Sequence, residues 1–559
     1  MSSLNQIFDE YWETQLAENP FTATYLGDRR YEHLVPDLSE ETHAAQIEAS
    51  RRTLEKVRAV PEAGLSEADR LNRAVFERSV GSMLARDPFQ GHFIALSQMG
   101  GVHLDLLQIS ALHPMSDKAG LESFIERIRS FGGMVDQVRH LLTRGVETGM
   151  VGARVNLEPV LAQIRGLVAT PIDENVLLIP YRNPAAVDAA TGARLLAQAR
   201  RLVEEVVQPA YAGLADFLER DYLPHCREEV GLHALPNGRD YYAQMVAHHT
   251  SSDLSPEAIH QIGHDEVARI HGEMRSVMKS VGFDGNLRDF SDSLRNNPDF
   301  FFETEEELLE GFRAILRAVD HRLPELFGRL PKLPYEVRPV EAYKAKNAPD
   351  AYYIPPPADG SRPGIYYANT YDPSSRPKYM MEALSYHEAV PGHHLQLAIV
   401  QDLEGIPAFR KYAFFTAYLE GWALYSERLP KEIGFYQDPY SEFGRLTLEV
   451  WRAGRLVVDT GLHHLGWSRE DGIAYFSENS ALTQHNVVAE VERYISMAGQ
   501  ALAYKIGELK ISALRTRAES ALGADFDLRG FHDRLLERGA LPLDLLEASV
   551  QDWIESRRK

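Results

Sequence analysis

Apolar residues recur at three- and four-residue spacing along most of this chain, as in Ile7 and Tyr11 and again in Leu196, Ala199, Leu202 and Val206. That spacing places them on one helical face, so a mainly α fold is expected. Start signals agree. In Asp37-Leu38-Ser39-Glu40-Glu41 and Asp253-Leu254-Ser255-Pro256-Glu257 a capping residue precedes an acidic first turn, the second with proline at the first helical position. One stretch, about residues 335–370, breaks the pattern. Its runs Tyr335-Glu336-Val337-Arg338-Pro339-Val340, Ala351-Tyr352-Tyr353-Ile354 and Gly364-Ile365-Tyr366-Tyr367-Ala368-Asn369-Thr370 are short and rich in aromatic and β-branched residues, as strands are. The last two flank Pro355-Pro356-Pro357-Ala358-Asp359-Gly360-Ser361-Arg362-Pro363, a turn-forming sequence, so a hairpin within a small antiparallel sheet is predicted. A free edge of that sheet could hold an extended peptide by main-chain hydrogen bonds.

With 559 residues, 44% of them hydrophobic, the chain can build one large or two fused cores. A soft boundary at Leu235-Pro236-Asn237-Gly238 divides an N-terminal helical lobe, 1–235, from a catalytic lobe, 236–559, which need not fold independently. A cleft between lobes would suit a substrate. The balance of 59 basic against 81 acidic residues, net −22, argues against nucleic-acid and anionic-membrane partners. No secretory signal or spanning apolar run is visible, so a cytoplasmic protein is expected; its oligomeric state is left open. A single cysteine, Cys226, cannot form a multi-thiolate site, so any metal must use histidines and carboxylates.

The segment Tyr386-His387-Glu388-Ala389-Val390-Pro391-Gly392-His393-His394-Leu395-Gln396 carries such groups. A zinc-peptidase helix places two histidines four residues apart, with a Glu after the first that reaches the metal-bound water. Here that second position is Pro391. On a regular helix His393 falls roughly 120° off the face of His387, and His394 shares the face but sits about 10 Å along. Pro391 clashes with a helical carbonyl and Gly392 tolerates unusual angles, so a local bulge is expected. Extruding two residues would bring His393 to His387; a bent helix would bring His394 instead. The third ligand is expected from Tyr418-Leu419-Glu420-Gly421-Trp422-Ala423-Leu424-Tyr425-Ser426-Glu427, where Glu420 and Glu427 share an otherwise apolar face. Glu420 is the preferred ligand and Glu427 its support, with the reverse as the alternative.

Downstream, Arg455, Asp459 and His463 follow at four-residue steps, and Glu490-Val491-Glu492-Arg493-Tyr494 precedes Gly499-Gln500-Ala501-Leu502-Ala503-Tyr504. Tyr494 is the first choice for an oxyanion hydrogen-bond donor, with His463 beside it. Arg493 suits a substrate carboxylate, and Tyr504, Tyr367, Tyr366 and Asn369 are further substrate-contact candidates.

These motifs, His-Glu-x-x-Pro-Gly-His-His-Leu-Gln, Glu-Gly-Trp-Ala-Leu-Tyr, Val-Asp-Thr-Gly-Leu-His and Arg-Tyr-x-x-x-x-Gly-Gln-Ala, occur here in order. In this the chain resembles the bacterial domain-of-unknown-function 885 family over almost its whole length. The family in turn is similar to helical zinc peptidases of the angiotensin-converting-enzyme, oligopeptidase and thermostable carboxypeptidase type. The resemblance implies a two-lobed, zincin-like helical body with a channel for short peptides. It also implies zinc on His387, His393 and Glu420, with Glu388 activating water. A Trp-Pro pair often precedes the family's Gly-Gln, where this chain has Met497-Ala498. The expected function is therefore a zinc-dependent peptidase of short peptides. The alternatives are a non-catalytic peptide-binding protein on that scaffold and a di-iron oxidoreductase built on the Glu-x-x-His pairs Glu40/His43 and Glu257/His260.

Overall fold

The computed structural model describes residues 3–341, 345, 349–357, 360 and 362–558. The chain forms two compact units, Met1–Tyr241 and Tyr242–Lys559. Helix accounts for 72% of it, which makes the fold mainly α. Among the described residues no helix is long and apolar enough to cross a membrane.

In the first unit, α1 (Glu40–Ala59) begins where Ser39 accepts a hydrogen bond from the Thr42 amide. The long α2 (Lys118–Thr148) is capped by Asp117 and ends at Gly149, whose φ of 78° is left-handed. Its stripe of Leu121, Phe124, Ile128, Phe131, Val135, Val138 and Leu142 forms the middle of this unit's core. Ala199 and Leu202 pack into the same core, as their helical spacing requires.

In the second unit α3 (Pro256–Ser280) is capped by Ser255, with Pro256 at the first position. Three strands follow: β1 (Tyr335–Pro339), β2 (Ala351–Ile354) and β3 (Gly364–Ala368). Then come α4 (Lys378–Glu388), α5 (His393–Gln401), α6 (Thr416–Glu432), α7 (Pro439–Thr460), α8 (Gln484–Ser496) and α9 (Ala503–Leu522). The helix α7 is buried over almost all of its length and packs Leu446, Val450 and Ala453 against Val267, Ile270 and Met274 of α3. Its buried charges are paired, Arg445 with Glu442 at 2.8 Å and Glu449 at 2.6 Å, and Glu449 with Lys505 at 2.9 Å. The helices α6 and α9 meet backbone to backbone. A Cβ on Gly421 would lie 2.4 Å from the Gly507 Cα, and one on Gly507 only 1.9 Å from the Ala417 carbonyl oxygen. This contact seats Glu420, the residue before Gly421.

The sheet corrects one expectation. It is mixed, in the order β1-β3-β2, with β1 parallel and β2 antiparallel to β3. The predicted β2–β3 hairpin is present, pairing Ala351 with Ala368 through Ile354 with Ile365. Of its turn, Ala358, Asp359 and Ser361 lie outside the described residues. Burial explains the order. In β3 Gly364, Ile365, Tyr366 and Ala368 are buried, so it takes the centre, whereas Glu336, Arg338 and Pro339 of β1 are exposed and suit an edge.

Candidate metal centre

The His-Glu helix ends at Glu388 and a new helix starts at His393, so the chain breaks where a bulge within one helix was expected. Pro391 has no amide to continue the ladder, and the Val390–Pro391 bond is cis. The link is nonetheless closed by hydrogen bonds. The Ala389 amide donates to Ser385, the His394 amide to Ala389, and the Trp422 indole of α6 to the Pro391 carbonyl at 3.0 Å. Gly392 is required here, because a Cβ would lie 2.0 Å from the His387 carbonyl oxygen and 2.3 Å from that of Tyr386.

The break brings His387, His393 and Glu420 together, one ligand atom of each within 4.8 Å of the others. Glu420 Oε2 lies 3.7 Å from His387 Nε2 and 3.5 Å from His393 Nε2. It is buried without a hydrogen-bond partner. These separations exceed a hydrogen bond, but ligands about 2.0–2.1 Å from one tetrahedral zinc stand roughly 3.4 Å apart. The donor set of two imidazoles and one carboxylate therefore fits zinc, and the orphaned oxygen is what a cation would satisfy.

The same groups also act on one another. Burial pulls the His387 imidazole down, but Glu420 and Glu427 outweigh it and hold the group up at about 9. Burial likewise raises the Glu420 carboxyl, and the two imidazoles more than reverse this, holding it well below the usual carboxylate range.

The two alternatives for ligands sit elsewhere. His394 places Nδ1 2.8 Å from the Tyr353 hydroxyl and packs on Tyr335, and burial lowers it to about 4. Glu427 accepts from His387 Nδ1 at 2.8 Å, with Arg452 at 3.7 Å behind it. It thereby fixes the tautomer that leaves His387 Nε2 facing Glu420. Replacing it, Glu427→Gln, is expected to weaken zinc affinity by about 10–100-fold with the fold intact, measured by competition with a chromogenic chelator.

Glu388 adjoins His387 at the end of α4 and is half-buried, with Tyr366 of β3 in electrostatic reach. Tyr494, expected to face an oxyanion, is turned inward instead. Its hydroxyl accepts from Trp451 and Arg455 and donates to Glu490 at 2.6 Å, which uses its only proton. His463 donates Nε2–H to the Tyr494 carbonyl and packs on Tyr242, so it too is structural. Asp459 accepts from Tyr242 and Gly499, and burial lifts its carboxyl to about 7.

The phenol beside the cluster is Tyr504, whose ring lies 6.3 Å from that of His387 at an angle of 15°. Arg455 lies over the Tyr504 ring, 4.5 Å from its centroid, and Arg493 bonds Gln500 and Glu490. Arg455 and Arg493 share the single carboxylate of Glu490, and Arg455 Nη1 is buried without a partner. Gln500, which donates to Tyr504 at 3.4 Å, and Trp451 were not singled out from the sequence, although Gln500 lies within the Gly-Gln-Ala motif.

On the sheet, Asn369 is consumed by bonds to the Ala345 and Pro349 carbonyls and Tyr367 stacks on Tyr352 at 4.8 Å, so the structure gives both packing roles. The Glu-x-x-His pairs are likewise engaged, Glu40 by His140 and Arg144 and Glu257 by His464.

Fold and site together define a mainly helical protein whose broken helix supports a cluster of two histidines and a glutamate, His387 buried and the other two half-buried. The chain belongs to the family of bacterial proteins of unknown function DUF885, whose model matches residues 20–550. Among solved structures it is similar to the "putative lipoprotein" from Colwellia psychrerythraea, with 30% identity and a TM-score of 0.95 over 99% of each chain. It shares the fold of a "putative lipoprotein of unknown function" from Shewanella oneidensis, with 17% identity and a TM-score of 0.73 over 98% of this chain and 99% of that one. No curated protein matches the chain.

Proposed function

We propose that this protein is a zinc-dependent peptidase acting on short peptides, related to the helical zincin-like peptidases. One observation carries the reading: a buried Glu420 oxygen without a hydrogen-bond partner faces the Nε2 atoms of His387 and His393, with Glu388 following His387 in the chain. Bound there by His387, His393 and Glu420, zinc would supply Lewis-acid polarisation of the scissile carbonyl and acidify a water. Glu388 takes the proton of the attacking water and returns it to the leaving amine. Tyr504 replaces Tyr494 as the phenol available to a developing oxyanion.

The substrate end follows from charge. Two guanidinium groups on one carboxylate leave a net positive charge, and the spare Arg455 donor needs an acceptor, so we assign them a free peptide carboxylate. Purified protein supplied with zinc is expected to cleave a panel of di- to pentapeptides. It should lose this on chelation and regain it with zinc, and C-terminal amidation should slow cleavage about 10–100-fold, the worth of a charge-assisted hydrogen bond. Intact peptides throughout, with zinc bound, would leave a peptide-binding protein in its place. The chemistry suits either compartment. Cell fractionation decides between the cytoplasmic location read from the sequence and that of a lipoprotein, the word used for the two similar structures.

A further inference from the structure

We propose that the unit Met1–Tyr241 carries a second metal site, formed by His43, Asp87 and His92 and suited to zinc or a similar divalent transition ion. It rests on none of the residues assigned to peptide hydrolysis. One ligand atom from each of the three side chains lies within 4.8 Å of the others. They come from separate elements: His43 from the first turn of α1, Asp87 from the 3-10 turn Asp87–Phe89 and His92 from the turn Gly91–Phe93.

The local backbone is built to hold them. Gln90, between the two turns, sits in the left-handed region at φ 52° and reverses the chain. Gly91 has no room for a side chain, since a Cβ would lie 2.2 Å from the Tyr241 hydroxyl oxygen, and the Phe89 ring stacks on Tyr241 at 5.3 Å. His43 Nε2 is 2.9 Å from Asp87 Oδ1. The His92 ring lies 4.0 Å from that of His43 at an angle of 28°.

An ordinary aspartate–histidine hydrogen bond needs only one imidazole. The second is surplus to it, half-buried, and no hydrogen bond to it is found among the described residues. A shift of about an ångström in the side chains would bring all three ligand atoms to the separations of one zinc ion. Glu40, one turn before His43, is held by His140 at 2.8 Å and Arg144 at 3.0 Å and stays outside the set. Two imidazoles with one carboxylate select zinc, cobalt or nickel over magnesium or calcium. Three protein ligands at a half-buried position leave a coordination place for water, and the ion would tie α1 to the turn that follows the helix Glu67–Arg86.

The test counts zinc bound at equilibrium by the full-length, untagged chain, with magnesium in excess. Two equivalents are expected in the wild type, one each in His387→Ala, His92→Ala and Asp87→Asn, and none in His387→Ala/His92→Ala. Zinc should also raise the melting temperature of His387→Ala but not of the double variant. No zinc bound by His387→Ala, or two equivalents persisting in both His92→Ala and Asp87→Asn, would overturn the proposal.

Discussion

Glu388→Ala is expected to lower peptide turnover by about 10²–10⁴-fold, the usual contribution of a positioned general base, while zinc bound at the His387 cluster is unchanged. The separation follows from geometry. The three converging ligand atoms belong to His387, His393 and Glu420, so the metal's protein contacts survive loss of the neighbouring carboxylate. Glu388 is the terminal residue of α4 and half-buried, so truncation opens no core cavity and should leave melting behaviour near that of the wild type. Steady-state kinetics on a cleaved peptide, read beside the metal content of the same preparation, checks both halves. Near-normal turnover in the zinc-loaded variant would remove Glu388 from the mechanism.

Gly392→Ala should act the opposite way, through geometry alone. The added methyl would stand 2.0 Å and 2.3 Å from two backbone oxygens, an overlap that only movement of the 389–392 link can relieve. Forcing such an atom into packed structure costs about 1–3 kcal/mol, occasionally more. Because the link sets the relation of His387 to His393, relief at Gly392 pulls the two imidazoles apart. Zinc affinity and turnover should therefore fall together, by at least about 100-fold if relief consumes some 3 kcal/mol of site geometry. Retained zinc and turnover in Gly392→Ala would mean that the link yields without moving the ligands.

The two variants also show what could be read from residue order. The meeting of His387 with His393 was legible because Pro391 and Gly392 forbid a regular helix between them, a constraint confined to a few residues. Whether the helix would bulge or break was not, since the outcome depends on the Trp422 indole, which reaches Pro391 from another helix. Tyr494 and Tyr504 differ for the same reason. Both are tyrosines near charged residues in sequence, but Trp451, Arg455 and Glu490 take up the hydroxyl of Tyr494, while packing leaves Tyr504 against His387. The strand order was equally hidden. All three runs have strand-like composition, and only the burial of β3 shows which of them is central.

The most direct test of the metal centre is anomalous diffraction at the zinc absorption edge from crystals of the zinc-loaded protein. A peak bounded by His387 Nε2, His393 Nε2 and Glu420 Oε2, with Glu427 still on His387 Nδ1, is the predicted result. Zinc-loaded crystals with no anomalous peak among those three atoms would contradict it.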